Sequence, residues 1–89
     1  MEKIKKQIVL ELLDLEREVQ EEFKLENASE KREMVLMEAF QKGAEVLNYI
    51  DGTKGHFVSH LASGIAIANL SDECFLKCLE VCGIEVTEE

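Results

Sequence analysis

The residues of this chain best suited to metal chemistry are three cysteines and two histidines, each set repeating every four residues. Cys74, Cys78 and Cys82 would share one flank of a helix, and His56 and His60 would share a face of the helix before it. Two thiolates facing two imidazoles would give a tetrahedral zinc site. Structural zinc sites usually use closer cysteine pairs on turns, and a cysteine on an apolar helical face usually packs as a small hydrophobic residue. We therefore expect core cysteines, polar histidines, and no bound metal or other cofactor.

Acidic residues suggest a second chemistry, because paired carboxylates bind Mg²⁺ well. Glu18, Glu21 and Glu22, followed later by Glu45 and Asn48, resemble the ExxE and ExxD metal-ligand pairs of the all-α nucleotide pyrophosphohydrolases of the MazG type. The resemblance implies a divalent-metal-dependent protein that binds or hydrolyses nucleotides. The chain departs from the pattern at Asn48, where the second pair of that family has an aspartate. This function is the alternative to a non-enzymatic one.

Charge and composition limit the classes of partner. The chain has 19 acidic and 10 basic residues and a net charge of −9, which repels phosphate backbones and disfavours direct binding of nucleic acid. With 46% hydrophobic and 33% charged residues, it is too apolar for a disordered acidic chain and too interrupted by charge for a membrane span. The first six residues do not resemble a secretory leader. We expect a cytoplasmic protein with no membrane partner.

The elements that would position these residues are helices, since no proline interrupts the apolar periodicity. We predict an all-α fold, a single domain over residues 1–89, with helices near 2–25, 29–51, 55–70 and 72–82. The first two form a long antiparallel hairpin, and a loop at 51–55 leads to a shorter C-terminal pair. Ser71 would cap the last helix and Gly83 would end it, leaving a loose tail at 85–89.

The second predicted helix has one apolar face and two valines beside it. Gly43 falls on that face, where it would allow another backbone to come close, whereas Val35 and Val46 lie off it. The face consists of Leu36, Met37, Phe40, Ala44, Leu47 and Ile50. Residues 57–68 are the least charged stretch and are expected at the centre of the fold.

The first predicted helix carries an apolar stripe at steps of three and four residues, close to the seam along which two helices pair. Such a stripe needs a partner helix, and a small chain gains stability by burying it against a second copy. We therefore expect a homodimer or a higher oligomer. The stripe consists of Ile4, Ile8, Leu12, Leu15, Val19 and Phe23.

The function expected from these observations is binding. An acidic helical module would engage a basic surface on another protein, with charge steering the encounter and apolar contacts supplying affinity. It would act as a small regulator, adaptor or inhibitor, a class that includes viral and mobile-element inhibitors. The candidate partner-binding residues are Glu18, Glu21, Glu22, Glu30 and Glu33.

Overall fold

The computed structural model describes residues 2–23, 30–50 and 52–88, which form four helices and one pair of short strands. The all-α prediction is confirmed, and the helices lie close to their predicted positions. In chain order the elements are β1 (Glu2–Lys5), α1 (Lys6–Phe23), α2 (Glu30–Tyr49), α3 (Gly52–Ala68), α4 (Asp72–Val81) and β2 (Ile84–Thr87). The predicted helix ends at 25, 29 and 51 lie outside the described residues.

The strands correct the sequence prediction at both ends of the fold. The first helix begins at Lys6, and the tail predicted to be loose contains β2. β1 and β2 pair in parallel, with Ile4 opposite Val86. Apolar and charged residues alternate here at the period of a strand, so Ile4 and Ile84 point into the core and are 1% and 2% exposed. The step of four from Ile4 to Ile8 fits a helix equally well, which is why the strand was missed.

Opposite charges on the two strands and on the residues that directly follow them favour this pairing. Lys3 Nζ lies 3.9 Å from a carboxylate oxygen of Glu85, and Lys6 Nζ lies 3.6 Å from one of Glu88. These side chains are largely exposed, so each pair contributes little, on the order of 0–1 kcal/mol. The burial of Ile4 and Ile84 is the stronger reason for the two ends of the chain to meet.

The core lies where α1 packs against both α2 and α3, and where α4 covers β2 and part of α3. The expectation for residues 57–68 is correct in part, because Val58 and Ile65 are buried while Phe57 and Ile67 are exposed. The core side chains come from every element: Ile4, Val9, Leu12, Leu13, Val46, Ile50, Val58, Ala62, Ile65, Ala66, Phe75, Leu79 and Ile84.

The loop predicted at 51–55 is wrong, since α3 already begins at Gly52. Gly55 is buried in the first turns of α3 against the end of α2. A Cβ atom there would overlap the side chain of Leu47. Glycine therefore permits an early helix start and close packing of two backbones at this position. The close approach expected at Gly43 is not found, as no atom lies within 4 Å of the place where its Cβ would be.

Local signals fix the ends of the last two helices. α3 ends with Asn69 at φ +56°, where the N–H of Leu70 donates to the carbonyl of Ile65 over 3.0 Å. The predicted cap of α4 is confirmed, because Ser71 Oγ accepts from the N–H of Cys74 over 3.3 Å. The predicted stop is also confirmed, with Gly83 at φ +84°.

Candidate functional site

An acidic groove runs between α1 and α2. Its volume is about 320 Å³, and it is lined by Glu11, Leu15, Glu38, Gln41, Lys42 and Glu45. The Nζ atom of Lys42 donates to Glu11 over 2.5 Å and to Glu45 over 2.9 Å. Lys42 therefore ties α1 to α2 at this place. The hydrogen bond from Lys42, with a smaller one from Gln7, lowers the pKa of Glu11, and the two carboxylates raise the pKa of Lys42.

The acidic groove continues into a ridge of carboxylates on the outer side of α1. Glu11, Asp14, Glu18 and Glu21 follow one another at steps of three, four and three, so they lie on one side of the helix. Arg17 stands among them and lies 3.7 Å from Asp14 of the ridge, but its shorter contacts are made outside it. Its Nη1 donates to Asp72 over 2.6 Å and its Nη2 to the carbonyl of Leu70 over 2.5 Å.

Arg17 thus connects α1 to the corner between α3 and α4, and Lys42 connects α1 to α2. Both cations are held in ion pairs by the chain's own carboxylates. Lys42 and Arg17 together neutralise two negative charges, and an excess of acidic side chains remains on this surface. A groove with low-dielectric walls concentrates the electric field of these side chains. The arrangement can attract and hold a cationic group.

The acidic residues singled out in the sequence do not all share this surface. Glu18, Glu21 and Glu33 are exposed, whereas Glu22 is buried, with 4% of its surface exposed. Glu22 follows Val19 by three residues and therefore falls on the inner side of α1, which corrects its assignment to an exposed partner-binding face. The side chain of Glu30 lies outside the described residues. The predicted partner-binding set omitted Glu11, Asp14 and Glu38, and it omitted Glu45, which the sequence indicated only as a candidate metal ligand; the seven-residue step from Glu38 to Glu45 was a usable signal.

The stripe on the first helix serves mainly the chain's own core. Ile4, Leu12 and Val19 are buried, and Ile8 packs against the core from its edge. Leu15 lines the acidic groove, and Phe23 is 52% exposed. Self-association stays a prediction, but most of the stripe predicted to mediate it is covered within one chain.

A second, apolar groove lies on the other flank of α2. It measures about 530 Å³ and is lined by Glu16, Val19, Leu36, Ala39, Phe40, Gly43, Ala44, Leu47, His56 and Ser59. Among the described side chains of α2, Val35 and Val46 are buried, as is Ile50 just after the helix. Of the apolar face predicted from the sequence, Ile50 is therefore in the core, whereas Leu36, Phe40, Ala44 and Leu47 line this groove. Phe40 is 78% exposed and Met37 63%. Partial burial raises the pKa of the Glu16 carboxyl on the groove wall.

In the part of the chain that the structure describes, the cysteines and histidines do not come together as a metal-binding group. Cys74 and Cys78 are half-buried, Cys82 is exposed, and both histidines are exposed. The cysteines were expected to pack in the core. Cys74 packs against the core, whereas Cys82 does not. Desolvation, with a smaller effect of the neighbouring Cys74 and Cys82, raises the pKa of the Cys78 thiol, which makes it a poorer nucleophile at neutral pH.

Within residues 2–23, 30–50 and 52–88, no three His, Cys, Asp or Glu side chains are grouped closely enough to hold a metal ion. The carboxylates that resemble a MazG-type ligand set are divided between the inner and outer sides of α1. Glu45 binds Lys42, and Asn48 is exposed at the far end of α2.

The described helices include none that combines the length and the apolarity needed to cross a membrane. Comparison of the chain with models of protein families, with curated proteins and with solved structures gave no match.

Proposed function

We propose that this chain is a non-enzymatic protein-interaction module that holds a basic segment of another protein in the acidic groove between α1 and α2. It would act as a small regulator, adaptor or inhibitor by covering that segment. The observation that carries the proposal is the groove itself, which is lined by carboxylates from two helices together with the apolar side chain of Leu15.

The groove combines the two contributions that such binding needs. Glu38 and Glu45 of α2 and Glu11 of α1 line the groove, and Leu15 of α1 offers an apolar contact. Lys42 already pairs with Glu11 and Glu45. A lysine or arginine of the partner would pair with Glu38 and share those two carboxylates with Lys42, while an adjacent aliphatic side chain would cover Leu15 and supply affinity. The ridge at Asp14, Glu18 and Glu21 would extend the attraction beyond the groove and speed the encounter.

The structure favours this proposal over a Mg²⁺-dependent nucleotide hydrolase. A hydrolase of the MazG type needs its carboxylates to converge on one ion, whereas Glu18 and Glu21 lie on the outer side of α1 and Glu22 lies on its inner side. An assay of nucleoside triphosphate hydrolysis with Mg²⁺ addresses the alternative directly. Turnover that is lost in Glu18→Gln would favour the enzyme.

The cytoplasm remains the expected compartment. This expectation rests on the sequence, and the three free cysteines are compatible with a reducing compartment.

The binding proposal is tested with two variants of equal net charge. Glu18→Lys with Glu38→Lys reverses two carboxylates beside the groove, and Glu80→Lys with Glu88→Lys reverses two exposed carboxylates of α4 and the segment after β2. The probe is a fluorescent amphipathic peptide of lysine and leucine, with binding followed by anisotropy at low and at physiological salt.

We expect the groove variant to bind the peptide at least about tenfold more weakly than the wild type, because close charge pairs at interfaces are worth about 1.5 kcal/mol or more. The α4 variant should bind nearly as well as the wild type. Equal losses in both variants would mean that the peptide senses net charge alone, and the groove would then not be the binding site.

A further inference from the structure

The surface of α2 is divided into three sectors with different chemistry. One sector is buried and carries Val35 and Val46, with Ile50 just after the helix. A second carries Glu38, Gln41, Lys42 and Glu45 and forms a wall of the acidic groove; we call it the charged sector. The third, which we call the neutral face, is exposed or half-buried and carries Leu36, Met37, Phe40, Gly43, Ala44, Leu47 and Asn48.

We infer that the neutral face of α2 is the surface on which a second copy of this chain binds, with the two α2 helices related by a two-fold axis. The reason to infer a second copy as the partner is the net charge of the chain. Two chains that each carry a net charge of −9 repel one another unless they meet where neither presents a charge. Between Leu36 and Asn48 every charged residue of α2 lies in the charged sector, so the neutral face offers about three helical turns without a charge from α2. Glu33 lies one turn before this stretch, and Glu16 of α1 lies on the wall of the apolar groove beside it. A basic partner, by contrast, would find more carboxylates on the other flank of the helix, at Glu38 and Glu45.

The shape of the neutral face is complementary to itself. Phe40 projects from it with 78% of its surface exposed, and it is the most exposed aromatic residue described. One turn further along, Gly43 leaves a notch with no atom within 4 Å of a Cβ position, bordered by Ala39 and Ala44. If two α2 helices cross in opposite directions, an axis between positions 40 and 43 places each Phe40 over the other copy's Gly43. Both contacts then form together, as a two-fold interface requires.

The apolar groove provides the space for this contact. Its volume of about 530 Å³ lies directly beside the notch, with Leu36 and Leu47 at its sides. An aromatic side chain seated in a pocket at the centre of an interface is the usual location of the strongest contribution to binding. The acidic groove lies on the opposite flank of α2 and would stay open in the dimer. The inference is therefore independent of the proposed function.

The interface differs from the one expected from the sequence. The stripe on the first helix is largely buried within one chain, whereas the predicted apolar face of the second helix, apart from the buried Ile50, is exposed or half-buried. Self-association through α2 would cover the exposed side chains of Phe40 and Met37, which in a single chain face water.

The test is the solution mass of the full chain, measured by light scattering on size-exclusion chromatography from about 10 µM to about 500 µM, a range that brackets micromolar affinities. Phe40→Glu places a charge at the centre of the neutral face. The control is Val81→Glu on α4, which changes an apolar residue that is 82% exposed into the same charged one. Circular dichroism verifies that each variant is folded.

We expect a dimer for the wild type and for Val81→Glu, and a dimer dissociation constant at least about tenfold larger for Phe40→Glu, as for the loss of a central aromatic contact. If Phe40→Glu fails to fold, Ala44→Glu, exposed on the same face, takes its place. A wild type that stays monomeric throughout would overturn the inference and leave the face to a different protein. So would a dimer that persists in Phe40→Glu, or one that Val81→Glu dissociates to the same extent.

Discussion

Replacing Gly55 with alanine should destabilise the chain, whereas the same replacement at Gly64 should stabilise it. Both glycines lie in α3, but Gly55 is buried and Gly64 is exposed. A Cβ on Gly55 would overlap the side chain of Leu47 and lie 3.3 Å from the Leu47 Cα atom. Nothing lies within 4 Å of the corresponding position at Gly64. The two substitutions are chemically identical and differ only in their surroundings.

The expected magnitudes follow from two opposing contributions. Alanine is better than glycine inside a helix by about 1 kcal/mol, and Gly64→Ala should gain about 0.5–1 kcal/mol in the free energy of unfolding. Gly55→Ala gains no more than this and loses about 1–3 kcal/mol through overpacking against Leu47. The two variants should therefore differ by about 1–3 kcal/mol. For a domain of this size, each kcal/mol corresponds to about 4–8 °C in Tm.

The assay is thermal and urea unfolding followed by far-UV circular dichroism. A third variant, Gly55→Ala combined with Leu47→Ala, removes the side chain with which the new methyl group would collide. The loss of unfolding free energy in this double variant should be smaller, by about 0.5 kcal/mol or more, than the sum of the losses in Gly55→Ala and Leu47→Ala. Such coupling is expected for residues in contact. If Gly55→Ala raised the Tm as much as Gly64→Ala, the close packing of α3 on Leu47 would be refuted.

Two further predictions concern β2 and the apolar groove. Ile84→Ala should lower the free energy of unfolding by about 2–4 kcal/mol in urea titrations, because Ile84 is buried in the core. The control Glu85→Ala removes an exposed side chain and should change the free energy of unfolding by about 0.5 kcal/mol at most. Equal small effects in both variants would mean that the tail is loose. Burial raises the pKa of Glu16 above its ordinary value of 4.5, so the folded state binds this proton more tightly than the unfolded chain. The stability of the fold therefore falls as the pH rises from the pKa of Glu16 in the unfolded chain through its higher pKa in the folded chain. Glu16→Gln should therefore be more stable than the wild type at about pH 7, and this advantage should disappear at about pH 3.5 in the same titrations; an advantage independent of pH would contradict the assigned cause.

Features that depend on neighbouring residues were predictable from the sequence. The helices follow from apolar periodicity, the cap at Ser71 from a hydroxyl three residues before the N–H it binds, and the stop at Gly83 from a residue that adopts positive φ without strain. The acidic character of the surface follows from composition alone. Each of these signals is contained within about one or two helical turns.

The strands and the groove could not be found in this way. β1 and β2 have four residues each and come from opposite ends of the chain, so neither carries enough local signal to be distinguished from a helix start or a tail. The burial of Glu22 likewise depends on the rotation of α1 about its own axis, which α2 and α3 set together.

The amino-acid sequence by itself determined an acidic, helical chain and identified the residues of the second helix that are apolar. Only the tertiary structure decided which of them are buried. That helix has apolar residues on two sectors, one at Val35 and Val46 and another at Leu36 and Phe40, and helical periodicity alone does not choose between them. Packing against α1 buried the first sector, because Val46 and Ile50 join the core formed with Leu12 and Leu13. The same orientation of α2 leaves Phe40 on the surface and places Glu38, Lys42 and Glu45 in the groove beside Glu11.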